Sequence, residues 1–390
     1  MKYELMDLGL ENAVIKVVGV GGGGGNAVNY MQNKDVEGVE FICANTDAQA
    51  LRRLDVESVI QLGAELTQGL GAGTNPEVGR EAAEENKDLI RDVLEGANML
   101  FLTAGMGGGT GTGAIPVIAE IAKELNILTV AVVTKPFDFE GNKKQQVAEL
   151  GIAELEKSVD SLIIIPNQKL LPVLGANASM NKAFAAVNDV LLDAVQGITE
   201  LITSPGIINV DFADVKTVMS DMGAAIMGTG QANGENRARV AAEKAISCPL
   251  LEDINVQGAR GILVNISAVD MGISEFDEVG RIVHELASED AIIKIGTAVD
   301  ETLGDDIKVT VVVTGMGTNK ATLAKPVKLV PPAVTTATVT NTGTDYSSFD
   351  TPTATRKSTE SRETRFGAQP KNNTDMDYLD IPAFLRRQAD

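Results

Sequence analysis

The chain has 390 residues, of which 44% are hydrophobic and 39 are glycine, enough to bury a large core in two or three structural units. Its net charge of −21 lies in the body, where residues 1–317 carry 23 Lys+Arg against 46 Asp+Glu, which excludes a broad basic face for nucleic acid. Two cysteines, Cys43 and Cys248, exclude a disulfide framework, and no apolar run approaches the ~20 residues of a membrane span.

Residues 1–12 read as a flexible start without the apolar core of a signal peptide. Residues 13–20 predict a buried strand, with five glycines directly after it, a helix over 26–34 and a strand over 39–44. Further strands are expected at 98–103, 127–134 and 161–165, separated by helical patterns over 76–95, 114–125 and 143–158. This alternation implies crossover connections and a parallel, Rossmann-like α/β domain over 13–178. Helical spacing then persists over 179–203, which predicts a long central helix leading into a smaller α/β domain at 204–317. Its strands are expected at 261–269, 291–299 and 307–314, with a helix over 275–288. Residues 318–376 contain 14 threonines and few large apolar side chains, the composition of a disordered linker. The last stretch, Asp377 to Asp390, regains Tyr378, Leu379, Ile381 and Phe384, which suggests a peptide that orders on a partner.

Two glycine runs carry the chemistry. Gly19-Val20-Gly21-Gly22-Gly23-Gly24-Gly25-Asn26 joins a strand to a helix, where a backbone without Cβ atoms can approach a phosphate and the helix N-terminus offers N–H donors. Gly19, Gly21 and Gly24 also fit G-x-G-x-x-G, with Asp47 placed like a ribose-binding acid. That run alone therefore leaves open an NAD-dependent oxidoreductase, and its bland alternative is a flexible turn. The second run, Gly105-Met106-Gly107-Gly108-Gly109-Thr110-Gly111-Thr112-Gly113, joins the strand at 98–103 to a helix expected from about Ala114. Two such junctions at neighbouring strand ends place two anion sites at one sheet edge, as a triphosphate requires. No G-x-x-x-x-G-K-[ST] occurs, so the chain is not a Walker-type NTPase. The oxidoreductase reading leaves the second run unexplained, and the lone histidine, His284, is patterned on a second-domain helix as a structural residue.

The segment Gly107 to Gly113 matches the signature of the tubulin/FtsZ family. Asn45-Thr46-Asp47-Ala48-Gln49-Ala50-Leu51, Gly71-Ala72-Gly73-Thr74-Asn75-Pro76 and Asn209-Val210-Asp211-Phe212-Ala213-Asp214 match further loops of that family in order. The chain resembles the family over about residues 10–317 and again in its terminal peptide. The resemblance implies that Gly22, Gly23, Gly24, Gly25 and Asn26, with Gly109, Thr110 and Gly111, cradle the phosphates of GTP or GDP. Glu140 would contact the ribose, and Asp47 and Gly73 belong to loops of the same nucleotide site. Lys144 stands where the family usually has arginine, which keeps the charge and loses the bidentate fork; its alternative is a solvated helix lysine. Asp189 resembles the guanine reader, since a carboxylate accepts from N1–H and N2–H₂ together, a donor pair adenine lacks. Phe184 would pack on the base or belong to the core.

For Asn209, Asp211 and Asp214 the two lines of reasoning diverge. Spacing alone makes Asp211 an N-cap and Asp214 a first-turn acid. The resemblance makes the loop catalytic, completing the nucleotide site of the next copy in a filament. It further implies a GTPase dependent on assembly, Mg²⁺ held through the phosphates rather than by protein ligands, and a head-to-tail homopolymer in the bacterial cytoplasm at the mid-cell division ring. Membrane-tether and regulatory proteins would dock on Asp377 to Asp390, with no nucleic acid and no direct membrane insertion. A scaffold that polymerises and scarcely hydrolyses is the alternative that Lys144 and Ile115 leave open.

Overall fold

Apolar, β-branched runs form ten strands: β1 (Ile15–Val20), β2 (Val39–Asn45), β3 (Ser58–Gln61), β4 (Met99–Gly105), β5 (Leu128–Lys135), β6 (Ser161–Pro166), β7 (Gly223–Ala232), β8 (Gly261–Ala268), β9 (Ile292–Val299) and β10 (Ile307–Thr314). The computed structural model describes residues 13–315 apart from 35, 176–177, 205, 221, 251–258, 286 and 288–290. The N-terminal segment 1–12, the linker at 318–376 and the docking peptide at 377–390 lie outside the described residues.

The strands build one sheet in the order β3-β2-β1-β4-β5-β6-β7-β10-β8-β9. The first seven pair in parallel, β10 runs antiparallel to both of its neighbours, and β8 and β9 are parallel. The order 3-2-1-4-5-6 is that of a doubly wound nucleotide-binding sheet, whose ligand crevice lies outside the carboxyl ends of the strands. Alternation along β4 shows how both faces are covered: Met99 and Phe101 join the core on one side, and Leu100 and Leu102 join that on the other. Two strands escape sequence reading. β3 has four residues, and β7 is interrupted by Gly228 and Gly230, so neither presents the apolar run that marks a strand.

The long helix occupies Met180–Thr203, with Ser179 as its N-cap. Ala183, Val187, Leu191, Ala194, Ile198 and Leu201 are buried along one stripe at helical spacing. Polar struts tie its far half to the later strands. Glu200 Oε2 accepts from Asn265 Nδ2 at 2.9 Å and Ser267 Oγ at 2.8 Å, and Lys308 Nζ reaches Asp193 Oδ1 at 2.6 Å. Among the described residues, no helix is long and apolar enough to cross a membrane.

Candidate functional site

The carboxyl ends of β1, β4, β5 and β6 open onto a cavity of about 430 Å³. Two helix N-termini face it: Gly21–Gln32 starts directly after β1, and Thr110–Glu124 starts within the second glycine run. Both helices begin earlier than their sequences suggest, because glycine's low helix propensity is overridden by packing. Neither has a side-chain cap. Elsewhere Asp47, Ser179 and Asp211 cap their helices. The first-turn N–H groups at the cavity, which no carbonyl of their own helix accepts, are thus left for a ligand, and both helix dipoles favour an anion there.

Close backbone approach explains why glycine is needed. A Cβ on Gly21 would lie 2.8 Å from the Gly111 nitrogen, and one on Gly109 would lie 2.8 Å from the carbonyl oxygens of Ala72 and Gly73. The two runs are packed against each other and against the 71–75 loop. A Cβ on Gly22, Gly73 or Gly108 would meet no atom within 4 Å, and all three residues line the cavity.

Nine of the thirteen expected nucleotide residues line this cavity: Gly22, Gly23, Asn26, Gly73, Gly109, Thr110, Gly111, Glu140 and Lys144. The Gly109 N–H is already used, donating to the Gly73 carbonyl at 3.0 Å. Glu140 Oε1 accepts from the Phe137 N–H at 2.9 Å and its Oε2 from Lys144 Nζ at 2.7 Å, so the lysine at the arginine position is paired with the expected ribose contact. Phe184 lines the cavity, is exposed rather than part of the core, and stands edge-on to the buried Phe137 with ring centroids 5.5 Å apart.

Four expected residues lie elsewhere. Gly24 and Gly25 are on the buried side of their helix; a Cβ on Gly24 would lie 2.3 Å from the Thr103 carbonyl oxygen and one on Gly25 3.1 Å from Leu54 Cδ1. The side-chain face of Gly24 meets β4 and that of Gly25 meets the loop at Leu54, and neither residue lines the cavity. Asp47 does not line the cavity, and its Oδ1 accepts from the N–H groups of Gln49 and Ala50 at 2.8 and 3.1 Å as an N-cap. Asp189 is exposed beside Asn188, which lines the cavity, and accepts a hydrogen bond from the Tyr30 phenol. That bond, with desolvation and the nearby Asp189 charge, pushes the Tyr30 pKa up to about 12.

Sequence reading misses Asn167. It follows β6, lines the cavity, is 4% exposed, and its Oδ1 has no hydrogen-bond partner. A buried acceptor without a partner costs about 1–3 kcal/mol, which points to a ligand donor. A single Pro-Asn at a strand end carries no local signal for this.

The acidic loop lies apart from the cavity and contributes none of its lining. Leu191 of the central helix lines the cavity, and at 1.5 Å per residue about 18 Å of helix separates it from Thr203, before the loop begins. Asn209 Oδ1 accepts from the Gly206 N–H at 2.8 Å, Val210 is buried, and Asp211 Oδ1 accepts from the Asp214 N–H at 2.7 Å. The cap predicted from spacing is therefore present, made with one oxygen of an exposed carboxylate. Lys294 Nζ of β9 holds Asp214 Oδ1 at 2.7 Å.

Residues 14–175 match the model of the Tubulin/FtsZ family, GTPase domain, and residues 223–317 match that of the FtsZ family, C-terminal domain. The Cell division protein FtsZ of Pseudomonas aeruginosa is 58% identical over 398 residues, covering 100% of both chains. The protein of that name from Coxiella burnetii is 57% identical, covering 99% of each chain. Among solved structures, the empty FtsZ dimer of M. jannaschii superposes with a TM-score of 0.76 at 42% identity, covering 79% of this chain and 89% of that one. With the crevice of a doubly wound sheet, two uncapped helix N-termini and these relatives in agreement, the chain belongs to the tubulin/FtsZ family of GTPases.

Proposed function

We propose that this chain binds GTP in the cavity at the end of its parallel strands, hydrolyses it with the acidic loop of an adjacent copy, and so builds and turns over head-to-tail filaments for bacterial cell division. The observation that carries the reading is the separation of the two half-sites along one rigid helix. With about 18 Å of helix between Leu191 and Thr203, a chain's own loop does not reach its own cavity, whereas a stacked copy can bring its loop there. Such contacts are heterologous and propagate instead of closing into a dimer. Leu70, three residues before the cavity residue Gly73, and Phe139, next to Glu140, are exposed, as is Ile207 in the loop, which gives both ends apolar surface to bury.

The residues then take distinct parts. The N–H groups of the two helix starts, around Gly22, Gly23, Thr110 and Gly111, hold the phosphates. Asp189, swinging from Tyr30, accepts from guanine N1–H and N2–H₂, and Asn167 offers the base a second polar contact. Glu140 meets the ribose, and Lys144 offers its charge to a phosphate. Asp211 and Asp214 each keep one oxygen to orient the attacking water, and Asn209 shapes the loop. Phosphoryl transfer needs positioning and charge stabilisation more than covalent chemistry. Among the described residues, no group of three or more His, Cys, Asp or Glu would cage a metal. The loop N–H groups suit the phosphate oxygens, and a Mg²⁺ ion would take its own oxygens from those phosphates and would supply charge neutralisation there. We place the protein in the cytoplasm at the mid-cell division ring, with tether and regulatory partners on residues 377–390.

Phosphate release against protein concentration, with light scattering on the same samples, tests the reading. Turnover per subunit should appear above a threshold at which scattering rises. Asp214→Ala should lower turnover about 100-fold while dilute protein keeps its GTP affinity. Turnover that is flat down to dilute protein would place a complete site in one chain.

A further inference from the structure

The acidic loop is held by the last strand of the sheet. The Thr297 N–H of β9 donates to the Ile208 carbonyl at 2.9 Å, and the Ile208 N–H donates to Thr297 Oγ1 at 3.0 Å. Gly296 lies against the junction of central helix and loop: a Cβ there would stand 2.6 Å from Leu201 Cδ2 and 2.7 Å from Val210 Cγ2. Lys294, two residues earlier and so on the same face of the strand, reaches Asp214 Oδ1 at 2.7 Å, with both side chains about one-third exposed, 35% and 37%. β9 thus grips the loop twice, by backbone at Ile208 and by an ammonium at Asp214.

This grip decides which atoms remain available. Asp211 Oδ1 caps its helix and Asp214 Oδ1 is held by Lys294. The Oδ2 atoms of both carboxylates have no partner among the described residues. The charges matter as well. The reading above brings two carboxylates against a triphosphate, and like charges at contact distance repel strongly where water is excluded.

We propose that Lys294 is a positioning residue for hydrolysis: it fixes Asp214 by one oxygen and supplies the counter-charge with which that carboxylate meets the nucleotide of a neighbouring copy. The proposal rests on the catalytic reading of Asp214. An isolated ion pair one-third exposed on each side contributes little to stability, so the effect of Lys294 falls on turnover.

The test uses the full chain with Lys294→Met, Lys294→Arg and Asp214→Ala, each assayed above its assembly threshold over a range of KCl, with GTP affinity measured on dilute protein. Lys294→Met keeps the parental affinity and loses about tenfold in turnover per assembled subunit, the order expected for one charge-assisted hydrogen bond. Added KCl narrows the gap to the parent, because screening over about 10 Å at 0.1 M replaces the missing counter-charge. Lys294→Arg recovers most of the rate. Parental turnover and parental salt dependence in Lys294→Met overturn the proposal. A loss that neither KCl nor arginine repairs also overturns it, since it makes Lys294 a structural strut. Parental turnover in Asp214→Ala removes the catalytic reading itself, whereas inactive Asp214→Ala beside a fully active Lys294→Met removes the role of Lys294 alone.

Discussion

At the cavity the chain offers mostly backbone; at the 206–214 loop it offers side chains. The first region consists of glycines pressed against each other and two helix starts without caps, so its chemistry is that of N–H groups fixed by the fold. The second consists of a cap, a turn and an ion pair made by Asp211, Asn209, Asp214 and Lys294, so its chemistry changes with a single rotamer. A backbone-built site keeps its fold wherever a Cβ has room at negative φ and loses it wherever one does not. A side-chain-built site keeps its fold and loses its action.

The largest effect comes from two glycines two residues apart. Gly24→Ala places a Cβ 2.3 Å from the Thr103 carbonyl oxygen and should destabilise the protein by about 3 kcal/mol or more, read as a lower thermal midpoint. Gly22→Ala meets nothing and lies in a helix, so it should stabilise by about 0.5–1 kcal/mol and still weaken GTP binding about tenfold, because the methyl enters the cavity. Equal thermal shifts for the two variants would break the distinction between packing and ligand-facing glycines. Asn167→Ala sharpens the comparison from the other side, since it tests a side chain in a backbone-built cavity. It should weaken GTP binding about tenfold, as expected for one hydrogen bond in a dry site, without lowering the melting temperature.

The smallest effect is at Tyr30. Its phenol is protonated in the fold up to about pH 12, above the ordinary value of 10.0. A raised acid pKa means that the hydrogen bond to Asp189 contributes fully below pH 10 and is lost as pH rises from 10 to 12. Tyr30→Phe should remove the late-ionising phenol from an absorbance titration. Its melting temperature should fall below the parent's at neutral pH and converge with it above pH 12.

Legibility followed the same division. Glycine runs, strand alternation and the periodicity of the central helix are written locally, and they led to the parallel sheet and to the cavity. Whether a given glycine faces ligand or core is not local: Gly23 and Gly24 are chain neighbours with different surroundings, set by where β4 crosses the helix. At Asp47 no spacing signal announces the cap that its Oδ1 makes on the short helix after it. At Asp211 the cap and the catalytic reading need not compete, since one oxygen caps and the other is unengaged. The buried setting of Asn167 and the ion pair of Lys294 with Asp214 arise only in the folded chain, and no spacing rule reaches them.

The hydrogen bonds between Thr297 and Ile208 have a consequence for solubility. An open sheet edge invites strands from other molecules and sideways, uncontrolled association. Here one margin of the sheet is the four-residue β3, and the other, β9, has the loop laid along it and a lysine in its sequence. Both lateral margins are thus blunted, and in the filament proposed above the segment that shields β9 would be the one that meets the next copy.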